Sequence, residues 1–521
     1  MNRHFSFDDG VGKHLALFGG RRMTIADSHL IIDDVTDFKK AKSHRWCCLP
    51  RPPDDNGKRL IPLYNILWVE LLPNKKLTID YAAQVSKKSI RPETLTFEID
   101  YRSRDGERPE DFVSTLMRRV YGDAQRQKRA YVLINPHAGP GGALRKWERD
   151  VKPIFERARM VLDVVILKRG GEAVELAEKM DINMYDTVVA CSGDGTPHEI
   201  FNGLAKRADA GTALASMPVS HIPCGSGNAM ACNLYGSHRA DVAALGIIKG
   251  VVTALDLVSI TQSNRRTVSF LSQSLGIVAE SDLATEHLRW MGSFRFELGV
   301  MTRIFRRKCY PCDIAVKAEV EQKDDVREHY RRHTSVMSIS RASGTSRTLA
   351  DSQKCDSSSS NPKEEDGLPP LTHGTVEDEL PADWELVPHN KLGTFYCGNM
   401  AYMAPDLNFF SAAVASDGCM DLVTLRGDLS PFKAIQTLMS VETGQFFDSR
   451  HVSYRKVSAY RIIPRGQEDG YISIDGERVP FEPFQAEVHR GLGRVISKRG
   501  RFEAEGPIDW GRETIAERLR S

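Results

Sequence analysis

Three short runs place glycine beside groups able to handle phosphate. They are NPHAGPGG (135–142), SGDGTPHE (192–199) and PCGSGNAM (223–230), each after an apolar stretch. Glycine tolerates positive φ and lets a backbone come close to a neighbour. Exposed N–H groups in such loops, followed by a helix N-terminus, favour phosphate. In the second run Asp194 stands between Gly193 and Gly195. A carboxylate there can accept the proton of an attacking hydroxyl, or hold a Mg²⁺ that bridges phosphates. The same residues also read as a turn into a helix, capped by Asp194 or Thr196. No GxxxxGK[ST], no GxGxxG and no protein-kinase signature set occurs.

The surrounding pattern says what positions these loops. From residue 129, apolar strands (RAYVLINP, LDVVILK, DTVVACSG) alternate with helical stretches (ALRKWERDVKPIFERA, GEAVELAEKM, HEIFNGLAKRA). Strands this apolar are buried on both faces, which predicts an α/β lobe with a parallel sheet over 126–256. Such sheets bind ligands at the carboxyl ends of their strands, where the three loops fall. Residues 257–500 alternate at period two and predict an antiparallel β-sandwich lobe, with a helix near 430–445. The serine-, charge- and proline-rich stretch 321–382 has too little apolar surface to offset its ordering entropy, and predicts disorder. Residues 1–125 predict a small β-rich module closed by a helix at 109–122, which resembles a pleckstrin-homology domain. Residues 501–521 form a charged tail.

Composition narrows the function classes. The 521 residues carry 71 basic and 69 acidic groups, a formal net charge of +2, so no general drive toward nucleic acid exists. No apolar run reaches the roughly 18 residues that span a bilayer. The N-terminus is acidic where a signal peptide is basic and apolar. These features predict a cytoplasmic chain, peripherally associated with intracellular or plasma membranes. The ten cysteines are scattered and read as free thiols. Cys309 and Cys312 form a CxxC without a second pair at zinc spacing. The adjacent Cys47 and Cys48 read as ordinary thiols or as an acylation site.

Taken together, NPHAGPGG, SGDGTPHEIFNGL and PCGSGNAMA resemble the catalytic domain of the diacylglycerol kinase superfamily, and most closely the sphingosine (long-chain-base) kinases. The likeness runs on through FLSQSLGIVAESDLATEHLRWMGSFRFELG (270–299), GNMAYMAPDLNFFSAAVASDGCMDLV (398–423) and YISIDGERV (471–479). It covers about 129–310 and 385–500. It implies Asp194 as catalytic base. It implies a pocket for ATP and Mg²⁺ from Asn135, Gly139, Gly141, Ser192, Gly193, Gly195 and Glu199, with Gly225, Ser226 and Gly227. Asp475, Gly476 and Glu477 would return to that cleft, with Asp475 as the metal partner; Asp-Gly between strands is equally a hairpin signal. Arg289 and Arg295 resemble arginines that reach the nucleotide phosphates, and each also reads as a solvated surface residue. The family's threonine after the second strand is replaced by Leu167, so no contact is expected there.

The acceptor side follows from charge. A sphingoid base carries an ammonium that a diacylglycerol lacks, so selecting it requires an anion near the cleft. Asp282 resembles the family residue that grips the amino and hydroxyl groups, and also reads as a helix N-cap. Glu280 stands where a nearby acidic residue is usual. Ile277, Val278 and Phe296 would contact the lipid chain, or serve as core. The basic run RIFRRK (303–308) is a candidate membrane contact. A diacylglycerol or ceramide kinase, an NAD kinase and a catalytically dead lipid-sensing scaffold are the competing readings. The lipid-side resemblance at 270–299 argues against the second, and intact Asp194, Glu199, Asn228 and Asp475 against the third.

Overall fold

The computed structural model describes residues 10–33, 58–86, 89–139, 141–284, 294–342, 367–384, 386–467, 470–504 and 506. Cys47, Cys48 and Arg289 lie outside them. The chain divides into two compact units.

The first unit gathers the described residues of Met1–Ala130 with Arg145–Leu162 and Arg239–Val251. Four antiparallel strands (His14–Leu17, Arg21–Ile25, His29–Asp33, Lys58–Pro62) form one sheet. Three more (Ile66–Leu72, Lys76–Ser86, Ser89–Glu98) form a second. The helix Pro109–Tyr121 begins with proline and two acidic residues and ends with two arginines, which suits its dipole. Phe112, Leu116 and Val120, four residues apart, bury its inner face. Two helical stretches from the α/β region join this unit. Arg157 and Arg159 pair with the buried Asp80. Asp241 accepts from Ser89 and from the Ile90 N–H.

The second unit is built on one long sheet. Thr187–Ser192 and Val219–Pro223 pair in parallel, Val188 opposite Val219, and every residue of both strands is buried. The last strand, Phe484–Ser497, carries the sheet onward. Its Val495 pairs in parallel with Val219, and its Ala486 pairs antiparallel with Tyr460. Val452–Pro464, Met420–Arg426, Leu392–Gly398, Ser272–Gly276 and Ile472–Ile474 follow, all antiparallel. The α/β part and the antiparallel part are thus one continuous sheet, joined by a 14-residue strand. Leu275, Phe395, Tyr460 and Ile472 centre the antiparallel part's core.

The stretch 321–382 departs from the expected disorder at both ends. Lys323–Ala342 is a helix, with Val326 fully buried. Near the other end, the N–H groups of Thr372 and His373 donate to Glu487. Arg461 donates to the carbonyls of Thr375 and Asp378. Composition misses this because the order comes from buried ions on the sheet, which need polar partners. Residues 343–366 lie outside the described residues. No helix among the described residues is long and apolar enough to cross a membrane.

Candidate functional site

Asp194 immediately precedes the helix Gly195–Ala205, yet its side chain makes no capping hydrogen bond to it. It reaches across to the helix Ala229–Tyr235 instead. The N–H groups of Ala229 and Met230 each donate to it at 3.0 Å, one to each oxygen. Two amide donors fix the carboxylate's plane and leave further lone pairs available. It is partly exposed, at 14 % of its side chain.

The glycines turn out to serve the meeting of loops. A Cβ on Gly225 would lie 2.5 Å from the Cα of Gly193. A Cβ on Gly139 would lie 2.8 Å from the carbonyl oxygen of Cys224. The three loops therefore touch backbone to backbone, as only glycine allows. Asn228, at φ 56°, locks the third loop: it accepts from the Gly225 N–H and donates to the Gly225 carbonyl, both at 2.8 Å.

Behind Asp194 stands His221, fully buried on the Val219–Pro223 strand. Its Nε2 lies 2.9 Å from the Ser192 carbonyl, and its Nδ1 lies 3.8 Å from Asp194 Oδ1. Burial pushes the imidazole below its usual 6.5, against the pull of Asp194. Cys191, on its strand, and Cys224, just past the end of the neighbouring one, bring their sulfurs to 3.8 Å.

Asp475 is held quite differently. It is buried, at φ 52°, and accepts from five donors: His198 Nδ1, the Ser269 hydroxyl, and the N–H groups of Phe270, Leu271 and Ser272. Burial alone would raise its pKa, but His198 and the other donors outweigh it and hold it below the usual 3.8. With both oxygens engaged, Asp475 has no open position for a metal, which contradicts the ligand role expected for it. His198 itself is raised above 6.5: burial lowers it, and Asp475 more than compensates.

One cavity of ≈ 880 Å³ connects these groups. Its polar end is lined by Asn135, Gly139, Gly193, Asp194 and Gly195 from two of the loops. Gly225, Ser226 and Gly227 complete that end, with Asp475, Gly476 and Glu477. Glu199 lines it too, but its carboxylate accepts from the N–H groups of Gly171 and Ala173, fixing the start of the helix Glu172–Lys179. The apolar end is lined by Ile277, Val278, Val300, Ile304, Ile435 and Leu438. Leu167 also faces the cavity, and is buried.

Two expected residues are not among those lining the cavity. Ser192 is buried and donates to the Gly193 carbonyl. Gly141 is exposed. Asp282 belongs to the helix Ile277–Ala284, and Arg295 and Phe296 to Phe294–Phe305; their side chains lie outside the description. Glu280 is occupied by Lys308 at 2.6 Å, Arg303 at 3.3 Å and the Tyr310 hydroxyl. Two members of the RIFRRK run are thus turned onto Glu280, and Arg306 and Arg307 remain exposed. Cys312 is buried, and the CxxC gathers no metal-ligand set among the described residues. Sequence reasoning missed His198 and His221, although each stands within a glycine motif or its strand.

Residues 129–260 match the diacylglycerol kinase catalytic domain, and residues 13–122 match a domain of unknown function, DUF7493. The chain is 34% identical to sphingoid long chain base kinase 5 of Saccharomyces cerevisiae, over 82% of this chain and 68% of that one. It is 30% identical to sphingoid long chain base kinase 4 of Schizosaccharomyces pombe, over 85% of this chain and 89% of that one. Human sphingosine kinase 1 is 26% identical, over 72% of this chain and 92% of the relative.

Proposed function

Because this chain belongs to the sphingoid long-chain-base kinases of the diacylglycerol kinase superfamily, and is a lipid kinase of the sphingosine-kinase type, we propose that it phosphorylates sphingoid bases. The γ-phosphoryl group of ATP passes to the primary hydroxyl of sphingosine, sphinganine or phytosphingosine, giving the 1-phosphate. The observation that carries this reading is the single cavity with glycine loops at one end and aliphatic side chains at the other. Asp194 stands on the glycine-loop side, where a lipid hydroxyl and a triphosphate would meet.

In this mechanism Asp194, oriented by the Ala229 and Met230 amides, accepts the proton of the attacking hydroxyl. Backbone N–H groups of the 193–195 and 225–227 loops face the phosphates and offset the developing charge. Arg289 and Arg295 add positive charge there. Magnesium bound with the triphosphate would neutralise part of its charge. Asp475, with both oxygens engaged, supplies it no ligand. Asp475, Gly476 and Glu477 instead form one wall of the polar end. Asp282 pairs with the ammonium of the base, and its helix also brings Ile277 and Val278 to the cavity.

Access is from a membrane surface. Met301 and Met439 line the cavity and are exposed, and Phe305 and Phe432, on the same two helices, are 63% and 77% exposed. These four side chains are the apolar contact for a chain that works in the cytoplasm and docks peripherally. The test is transfer of label from γ-labelled ATP to sphinganine, with diacylglycerol and ceramide as parallel acceptors. Label on sphinganine alone is expected. Label on diacylglycerol or ceramide would discard the role of Asp282.

A further inference from the structure

The buried face of Asp194 carries a second group that the reaction above does not use. His221 Nε2 lies against a carbonyl oxygen, which can only accept, so Nε2 holds the proton of the neutral ring. Its Nδ1 is then a bare lone pair. It is buried, has no hydrogen-bond partner, and faces Asp194 Oδ1 at 3.8 Å. An orphaned buried acceptor beside a carboxylate is costly, because two lone pairs oppose each other. The cost is relieved when a proton reaches the carboxylate and Oδ1 closes the 3.8 Å to hydrogen-bonding distance, since Oδ1–H can then donate to Nδ1.

We infer that His221 is the positioning residue of the site, holding through its Nδ1 the proton that Asp194 takes from the acceptor hydroxyl. This rests on the reading of Asp194 as the base. The new bond forms between the acceptor oxygen and the γ-phosphorus. The bond to the β,γ-bridging oxygen breaks, and its electron pair leaves with the nucleoside diphosphate. The hydroxyl proton passes to Asp194, is shared with Nδ1, and returns through Asp194 to solvent after the products leave.

Few other groups compete for that proton. The helix Ala229–Tyr235 packs against this strand and brings Cys232 and Tyr235, with Asp406 close to Cys232. Burial pushes the Cys232 thiol up to about 12 and the Tyr235 hydroxyl higher than its usual value.

Glutamine and asparagine separate the two ring nitrogens. In His221→Gln the terminal amide can replace Nε2 and still donate to the Ser192 carbonyl, with nothing in place of Nδ1. His221→Asn does the reverse. The expected result for His221→Gln is a fall of roughly 10-fold or more in kcat, within the 10²–10⁴-fold a positioned base contributes. KM for both substrates should be kept. The acid limb of the rate profile should move to lower pH, because a protonated Asp194 has lost its acceptor. Wild-type kcat and pH profile in His221→Gln, with both lost in His221→Asn, would reduce His221 to a support for the Ser192 carbonyl and overturn the inference. A second readout needs no turnover: imidazole ¹⁵N resonances of the full chain, with His221 assigned by its loss in His221→Gln. The Nδ1 signal should titrate with pH, and that titration should change in Asp194→Asn. An Nδ1 signal indifferent to Asp194 overturns the inference whether or not the chain transfers phosphate; a chain that transfers none, with the linked titration intact, faults only the proposed reaction.

Discussion

Asp194 and Asp475 are both followed by glycine, and both face the same cavity. Asp194 accepts from two backbone amides and is partly exposed. Asp475 accepts from five donors and is buried. One carboxylate keeps lone pairs for a ligand, whereas the other spends them on three backbone amides, a serine hydroxyl and a helix histidine. The motif names the residue pair, but the number of donors around it separates chemistry from construction.

The contrast can be broken most forcefully at Asp475. Asp475→Ala leaves five buried donors without their acceptor, and removing one side of a buried ionic contact costs about 3–5 kcal/mol. Urea unfolding should show that loss, with little soluble protein at 37 °C. Near-wild-type stability would mean that Asp475 is free for another role. Next comes Gly225→Ala. The added methyl meets the Gly193 backbone at 2.5 Å, and overpacking of this kind costs roughly 1–3 kcal/mol. Titration with nucleotide should show weaker binding, because the two loops must part.

At the apolar end, Leu438→Trp should narrow the cavity without touching the glycine loops. Lipid KM should rise by about 10-fold, a change of roughly 1.4 kcal/mol, with nucleotide KM unchanged. Equal rises in both would mean that the two ends are not separate subsites.

The smallest effect is one of pH. His198 has its folded pKa raised above 6.5, so its pairing with Asp475 contributes stability fully present below 6.5. That contribution fades as pH rises through the folded value. Asp475, held below 3.8, contributes stability that is lost only as pH falls through its own folded value. Thermal melting followed upward from pH 6 should decline in wild type and flatten in His198→Gln. Parallel curves would remove His198 from the pair.

The sequence carried the loops of this site because their chemistry is local. Asp194, Gly193, Gly225 and Asn228 stand in short runs after buried strands, and the strands are where the alternation puts them. What the glycines touch was not legible, since Gly193 and Gly225 are far apart in the chain and meet only through strand register. The same holds for the Phe484–Ser497 strand, whose two ends pair with different halves of the sheet. His221 was visible as a lone histidine in an apolar strand, but nothing local tells which nitrogen faces Asp194. The ordered ends of 321–382 were hidden because their partners are distant in the chain: Thr372 and His373 bind Glu487, and Lys323 donates to the Ser449 carbonyl.

The most direct measurement is phosphate transfer by Asp194→Asn against wild type, at matched nucleotide occupancy and with melting recorded for both. Asparagine keeps the shape but only one acceptor oxygen, so one of the Ala229 and Met230 amides loses its partner; stability in the melt should fall by about 1–3 kcal/mol while the fold and nucleotide binding persist. The rate should fall by about 10²–10⁴-fold. Wild-type turnover by a folded, nucleotide-bound Asp194→Asn would contradict the account, because the carboxylate with open lone pairs would then not be the base.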